Sequence, residues 1–130
     1  MLQQALGKYK SPVAFSVLDG QILAFPNSCF DDVLLNLILS VVPDGAIAMQ
    51  ESWRVLKPGG RIAIFDKFLS DQGQPSIFRR FLGGVIRWLG TDPNRRLSDM
   101  LKEIPDAVIS NDEPALLRGQ YRVILMNKPV

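Results

Sequence analysis

Hydrophobic and polar positions along this chain fall into stretches of different period, and each period predicts an element. Val13-Ala14-Phe15-Ser16-Val17-Leu18 is apolar at almost every position, the pattern of a strand buried on both faces. Gly20 to Asp32 is broken by Pro26-Asn27-Ser28 and reads as a loop. Asp32 to Leu35 predicts a second strand, with Asn36 near its carboxyl end and a short helical turn over Leu37 to Val42. Pro43-Asp44-Gly45 then opens a helix in which Asp44 is the expected N-cap. Ala48, Met49, Ser52, Val55 and Leu56 share one face of that helix. Lys57-Pro58-Gly59-Gly60 ends it, and Ile62 to Phe65 predicts a third strand. Met1 to Lys10 reads as a helix, as does Pro75 to Leu89, where Ile77, Phe81, Val85 and Leu89 recur on one side. Gly83-Gly84 weaken the middle of the second by about 1 kcal/mol each relative to alanine. Leu97 to Ile104 predicts a short helix. Ala107 to Ser110 and Tyr121 to Met126 predict two closing strands, separated by Asn111-Asp112-Glu113-Pro114. The order strand, strand, helix, strand, helix, strand, strand is that of a single α/β domain over 1–130, ending in an antiparallel pair.

Composition narrows the chemistry. The longest apolar run, Val33 to Val42, is interrupted by Asn36 and Ser40 and falls well short of the roughly 20 residues that cross a bilayer. The first residues lack the pattern of a signal peptide. With one cysteine, Cys29, there is no internal disulfide, which points to a reducing, cytoplasmic compartment. The absence of histidine removes Ser-His-Asp and Cys-His catalysis, and no metal site is expected. A net charge of +2 is too small for a nucleic-acid footprint. Basic residues gather from Gly73 onward, where nine basic side chains face six acidic ones, against six and seven before that point. A solvated basic face is the simpler account of them.

Three polar positions, and the glycine beside one of them, are candidates for chemistry. Asp19-Gly20 directly follows a predicted strand. Ligands in open α/β sheets bind beyond the carboxyl ends of strands, so Asp19 could accept a hydrogen bond there while Gly20 lets a ligand approach the backbone. An ordinary Asp-Gly turn is the competing account. Asn36, inside Leu34-Leu35-Asn36-Leu37-Ile38, is either a structural hydrogen bonder or the lining of a pocket. Asp66, at the end of the third strand, could face a substrate or simply pair locally with Lys67.

Taken together, these segments resemble the C-terminal portion of class I S-adenosylmethionine (SAM) dependent methyltransferases, of the ubiquinone, menaquinone and bacterial phosphatidylethanolamine type. The resemblance is carried by Asp19, Phe25-Pro26, Cys29-Phe30-Asp31 and the intact Arg54-Val55-Leu56-Lys57-Pro58-Gly59-Gly60 turn. Phe65-Asp66-Lys67-Phe68, Gly90-Thr91-Asp92 with Asn94-Arg95-Arg96, and Asp112-Glu113-Pro114-Ala115 resemble the phospholipid branch. The resemblance implies a Rossmann-like sheet of order 3-2-1-4-5-7-6. It implies SAM as cofactor, Asp19 as the acid that contacts adenine, and Gly20 beside the base. Asn36 and Leu37 would line the cofactor and acceptor pocket, and Asp66 is the candidate proton acceptor. A small-molecule or lipid methyl acceptor follows, with peripheral membrane contact through the helix from Ile77 to Leu89 as a further expectation. Methyl transfer from a sulfonium rests mainly on alignment and desolvation, so the missing histidine is no obstacle.

The resemblance is incomplete at its front. None of the ten glycines forms the Gly-x-Gly of the loop that grips the cofactor. The first two strands of the family sheet are also missing, so the expected fold is an incomplete class I sheet with weak or no SAM binding. Either the strand at 13–18 re-pairs onto the next one, or another chain fills the gap. The partner is then a second copy or an N-terminal complementing segment, because open sheet edges self-associate. The non-enzymatic alternative is an interaction module that pairs through those edges.

Overall fold

The structure, a computed structural model, describes residues 14, 16–68, 96–116 and 120–130. Its elements run β1 (Phe30–Asn36), α1 (Gly45–Val55), β2 (Leu56–Lys67), α2 (Leu97–Leu101), β3 (Val108–Leu116) and β4 (Tyr121–Asn127). Together the strands make one four-stranded sheet in the order β1-β2-β4-β3. β1 lies parallel to β2, whereas β2 with β4 and β4 with β3 are antiparallel. This is the partial α/β sheet with an antiparallel end that the sequence predicts. The helices expected over 1–10 and 75–89 lie outside the described residues.

Helix α1 starts where Asp44 was expected to cap it. The Asp44 carboxylate accepts from the amides of Ala46 at 2.9 Å and Ile47 at 3.2 Å, satisfying donors that the first turn leaves unpaired. Its carboxyl end is capped from far along the chain. Lys128 Nζ donates to the carbonyls of Trp53 at 2.6 Å and Leu56 at 2.9 Å, and sits 5.5 Å from the Trp53 ring centroid. A cation at that end also complements the helix dipole.

The chain then enters β2 with no intervening loop. Phe30 pairs with Leu56, and the next partner pair is Asp32 with Arg61, so Lys57 to Gly60 bulge out of the parallel ladder. The expected Lys-Pro-Gly-Gly turn is thus an interruption within a twelve-residue strand. Its glycines are required in different ways. Gly59 has φ +75°, a left-handed conformation that side chains disfavour. At Gly60 an added Cβ would stand 2.7 Å from the Asp31 carbonyl oxygen and 2.8 Å from that of Lys57.

Burial alternates cleanly along β2 and β4. Ile62, Ile64, Ile124 and Met126 point to a core shared with Ala48, Met49 and Trp53 of α1 and Leu97 and Met100 of α2. Leu39, Val42, Phe68 and Ile104 close that core. The opposite face is partly open: Leu34 is 71% exposed, Leu125 38% and Val123 37%. Both closing strands run longer than predicted, β3 most of all, because it absorbs Asn111 to Pro114. Pro114 is tolerated on this edge strand, where register shifts fall between Ile109 and Asn111 and between Pro114 and Leu116.

One prediction fails. Residues 14 and 16–18 belong to no strand, and Val17 is 85% exposed and Leu18 41%. A strand apolar on both faces needs both of them covered by the rest of a sheet domain, and among the described residues β1 pairs with β2 alone. The expected re-pairing of 13–18 onto the next strand therefore does not occur among the described residues.

Gly60→Ala should lower stability by about 1–3 kcal/mol, since the colliding atoms include backbone that cannot rotate away. A urea titration followed by circular dichroism will read the loss as a lower midpoint.

Candidate functional site

β1 and β2 run parallel, so their carboxyl ends lie side by side. Asn36 and Asp66 sit at those two ends. The chain leaves β1 through Leu37, whose amide donates to the Phe65 carbonyl at 2.8 Å and whose φ is +54°. A left-handed conformation is unusual for a leucine, and it turns the chain sharply across the top of β2. The following turn closes with Val41 N and Val42 N both donating to the Ile38 carbonyl at 3.1 Å.

Asp66 anchors that turn. It is wholly buried; its Oδ2 accepts from the Ser40 amide at 3.1 Å and its Oδ1 from the Lys67 amide at 2.7 Å. Two backbone amides compensate the cost of removing a carboxylate from water.

The Asp19-Gly20 turn rests on the same feature. At Gly20 an added Cβ would meet Val42 Cγ1 at 3.6 Å and Ile38 Cγ1 at 3.9 Å, ordinary contact distances. Asp19 is exposed, and its Oδ1 accepts from the Gln21 amide at 2.9 Å. Gln21 in turn accepts from the Asp44 amide at 2.8 Å, tying this turn to the start of α1.

Gly20 and Asn36 line one cavity of about 310 Å³, together with Leu23, Val33, Leu34, Leu35, Ile38, Ala48 and Ser52. Of the five expected site residues, Gly20 and Asn36 line this cavity, whereas Asp19 and Leu37 adjoin them in the chain and are not among its lining residues. Asp66 lies beneath the 37–42 turn and is not among the residues lining this cavity. Asn36 is exposed, so it needs no buried partner.

The residue that sequence reasoning misses is Arg54. Its guanidinium donates to the carbonyls of Leu23 and Phe25, each at 2.9 Å, and to Asn27 Oδ1 at 2.8 Å. It also pairs with both Glu51 oxygens, at 2.7 and 2.8 Å. Glu51 Oε2 accepts the Leu23 amide at 2.8 Å. Ser28 N and Cys29 N then donate to the Arg54 and Val55 carbonyls, leading the loop into β1. The Glu51–Arg54 spacing signals an i,i+3 ion pair, but nothing in it names loop carbonyls some thirty residues earlier as further partners. The Arg54 guanidinium beside Glu51 holds its carboxyl below the ordinary value of 4.5.

Three comparisons bear on this arrangement. Residues 1–64 match the family described as a methyltransferase domain. The chain is 31% identical over 102 residues to the ubiquinone/menaquinone biosynthesis C-methyltransferase of Cellvibrio japonicus, a match covering 72% of this chain and 41% of that protein. It is 32% identical over 73 residues to a phosphatidylethanolamine N-methyltransferase of Cereibacter sphaeroides, covering 56% of this chain and 36% of that one. This chain belongs to the SAM-dependent methyltransferase family. A SAM-dependent methyltransferase from Mesorhizobium loti shares its fold, with a TM-score of 0.74 at 18% identity, over 98% of this chain and 76% of that one. The four strands seen here correspond to the 4-5-7-6 run of the family's expected sheet order. The chain spans less than half the length of the curated relatives it matches.

Two substitutions test how the site is held. Arg54→Ala should lower the urea midpoint and speed amide exchange at Leu23, Ser28 and Cys29, as the loop loses its tie to α1. Because Glu51 titrates lower in the folded chain than unfolded, its contribution is fully present above pH 4.5 and is lost as pH falls through the depressed value. Arg54→Ala should therefore flatten the stability profile in that acidic window. Asp66→Ala strands the Ser40 and Lys67 amides and should cost about 1–3 kcal/mol for each amide left unsatisfied. Asp66→Asn keeps one acceptor oxygen and should cost less in the same titration.

Proposed function

We propose that this chain supplies the adenine-side and acceptor-side parts of a methyl-transfer site that uses SAM and acts on a lipid or quinone-type acceptor. One observation carries the reading. Gly20 and Asn36, both expected around the cofactor from the family resemblance, line a single cavity that runs along the second half of β1 to its carboxyl end, the end of a strand at which α/β sheets hold their ligands. The names of the relatives, a quinone C-methyltransferase and a phospholipid N-methyltransferase, support the acceptor class.

The residues present suit part of the cofactor. Asp19 is exposed beside the Gly20 turn and can accept from an adenine amino group, and Leu23, Leu35 and Ile38 offer apolar walls to a base. No residues here match the methionine end, since the chain contains no Gly-x-Gly. SAM, when bound, supplies a methyl group activated by its sulfonium. The chain's own part is positional: Asn36 and Leu37 border the acceptor side, and Asp66, buried under the turn, holds Ser40 in place. In this reading Asp66 is a positioning residue that retains the 37–42 turn, rather than the proton acceptor.

A second reading is a non-catalytic interaction module. It is favoured by the outer edge of β1, which has no strand beside it among the described residues.

The two readings separate in a complementation experiment. Isothermal titration of the chain alone with SAM should give weak or no binding. Mixing it with the unmatched remainder of the Cereibacter sphaeroides relative should produce SAM binding and labelled-methyl transfer to phosphatidylethanolamine vesicles or a demethylated quinone. In that mixture Asp19→Ala should weaken SAM by roughly tenfold, the loss of one hydrogen bond to a desolvated group. Tight SAM binding by the chain alone as a monomer would remove the argument that the missing loop is needed. Failure of every mixture to transfer methyl would favour the interaction module.

A further inference from the structure

We infer that Lys128 is a positioning residue for the cavity: it holds the carboxyl end of α1, and with it the loop that supplies the cavity's Leu23 wall. Its consequence for SAM rests on the methyl-transfer reading; its action on the loop does not.

A helix leaves its last four carbonyls without partners of its own. In α1 the Leu56 amide takes the Ser52 carbonyl, so the acceptors left over are those of Trp53, Arg54, Val55 and Leu56. Two sources fill them. Lys128 Nζ donates to the outer two, Trp53 at 2.6 Å and Leu56 at 2.9 Å. The loop fills the inner two, with Ser28 N donating to Arg54 at 3.0 Å and Cys29 N to Val55 at 2.8 Å. The lysine and the loop therefore depend on the same turn of backbone.

Lys128 is well placed to keep that turn in shape. Its own backbone is fixed independently of its side chain: its amide donates to the Gly60 carbonyl and its carbonyl accepts from the Gly59 amide, each at 2.9 Å. The ammonium lies 5.5 Å from the Trp53 ring centroid, an attraction that adds to the two charge-assisted bonds. Arg54 stands between the two carbonyls that Lys128 holds. The same turn thus sets where its guanidinium reaches Leu23, Phe25 and Asn27. Leu23 lines the cavity and Lys128 does not, so the lysine acts on the site through the end of α1 and Arg54. A lysine that only stabilised the fold would protect all amides alike; one that positions the loop protects the loop first.

The test is native-state amide exchange on the full chain. Lys128→Met keeps an unbranched side chain and removes its donors and its charge. Exchange at Leu23, Ser28 and Cys29 should rise roughly tenfold or more, the weight of a charge-assisted hydrogen bond. Phe68, at the far end of β2 with its amide donating to Gln120, should exchange as before. So should Ile104, whose amide donates to Leu101. Lys128→Arg still offers charged donors to both carbonyls and should restore most of the loop's protection. In the complementation mixture Lys128→Met should weaken SAM by roughly threefold or more, because affinity falls with the fraction of chains whose loop is in place. Unchanged loop exchange in Lys128→Met overturns the inference, as does a rise shared equally by Phe68 and Ile104. Unaltered SAM binding by a loosened loop also overturns it, and leaves Lys128 a helix cap. A mixture that binds no SAM counts against the methyl-transfer reading, while the exchange rates still decide the action on the loop.

Discussion

The Arg54–Glu51 pair is the interaction on which the arrangement of this site depends. A loop from Gly20 to Cys29 has few means of its own to hold a shape, being rich in residues that break regular structure. The guanidinium gives it one by taking two carbonyls and a side-chain oxygen from three places along it. Glu51 both orients that guanidinium and accepts a loop amide. Arginine is suited to this because its planar fork of donors is preorganised, so several acceptors are met for one ordered side chain. Through this pair the loop is fastened to α1 at Leu23, which lines the cavity, while Gln21 ties the Asp19-Gly20 turn to the start of the same helix.

A second, smaller anchor works on the other side of that cavity. Asp66 fixes the turn after β1 from beneath, and Leu37 accepts a strained conformation to begin it. The two anchors draw on different regions: one on α1, the other on the end of β2. Their common product is a ligand-sized hollow at the carboxyl end of a parallel strand, the place where an α/β sheet offers backbone and side chains to a ligand.

The uncovered side of the sheet follows from the same economy. β1 is apolar at Val33, Leu34 and Leu35, the composition of a strand meant to lie inside a sheet with both faces covered. Here it stands at the edge, with helices on one face among the described residues. The strand predicted at 13–18 illustrates the converse. Its composition suits a strand interior to a sheet, but its described residues, 14 and 16–18, take no strand conformation and are exposed. Composition specifies what environment a segment needs. It cannot create that environment.

That distinction separates what was legible in the sequence from what was not. Local signals were sufficient for Asp44 as a cap, for α1, for the interruption at Lys57 to Gly60 and for the antiparallel end of the sheet, because each depends on the chemistry of nearby residues. Asp19, Gly20 and Asn36 stood out as candidates from their positions at strand ends, while Leu37 and the cofactor came from the family resemblance alone. Strand lengths were less legible: the ladder with β4 draws Asn111 to Pro114 into β3, although their local preference is for a turn. The reach of Arg54 to Leu23, Phe25 and Asn27, of Lys128 to the end of α1, and of Asp66 to Ser40 was beyond any local reading. These partners are separated by some 25 to 75 residues, and only the folded chain brings a donor and its acceptor to hydrogen-bonding distance. By itself the sequence determined which segments could be helix or strand and which family they resemble. Tertiary structure alone decided which polar groups meet, because hydrogen bonds act over ångströms in space and leave no period along the chain.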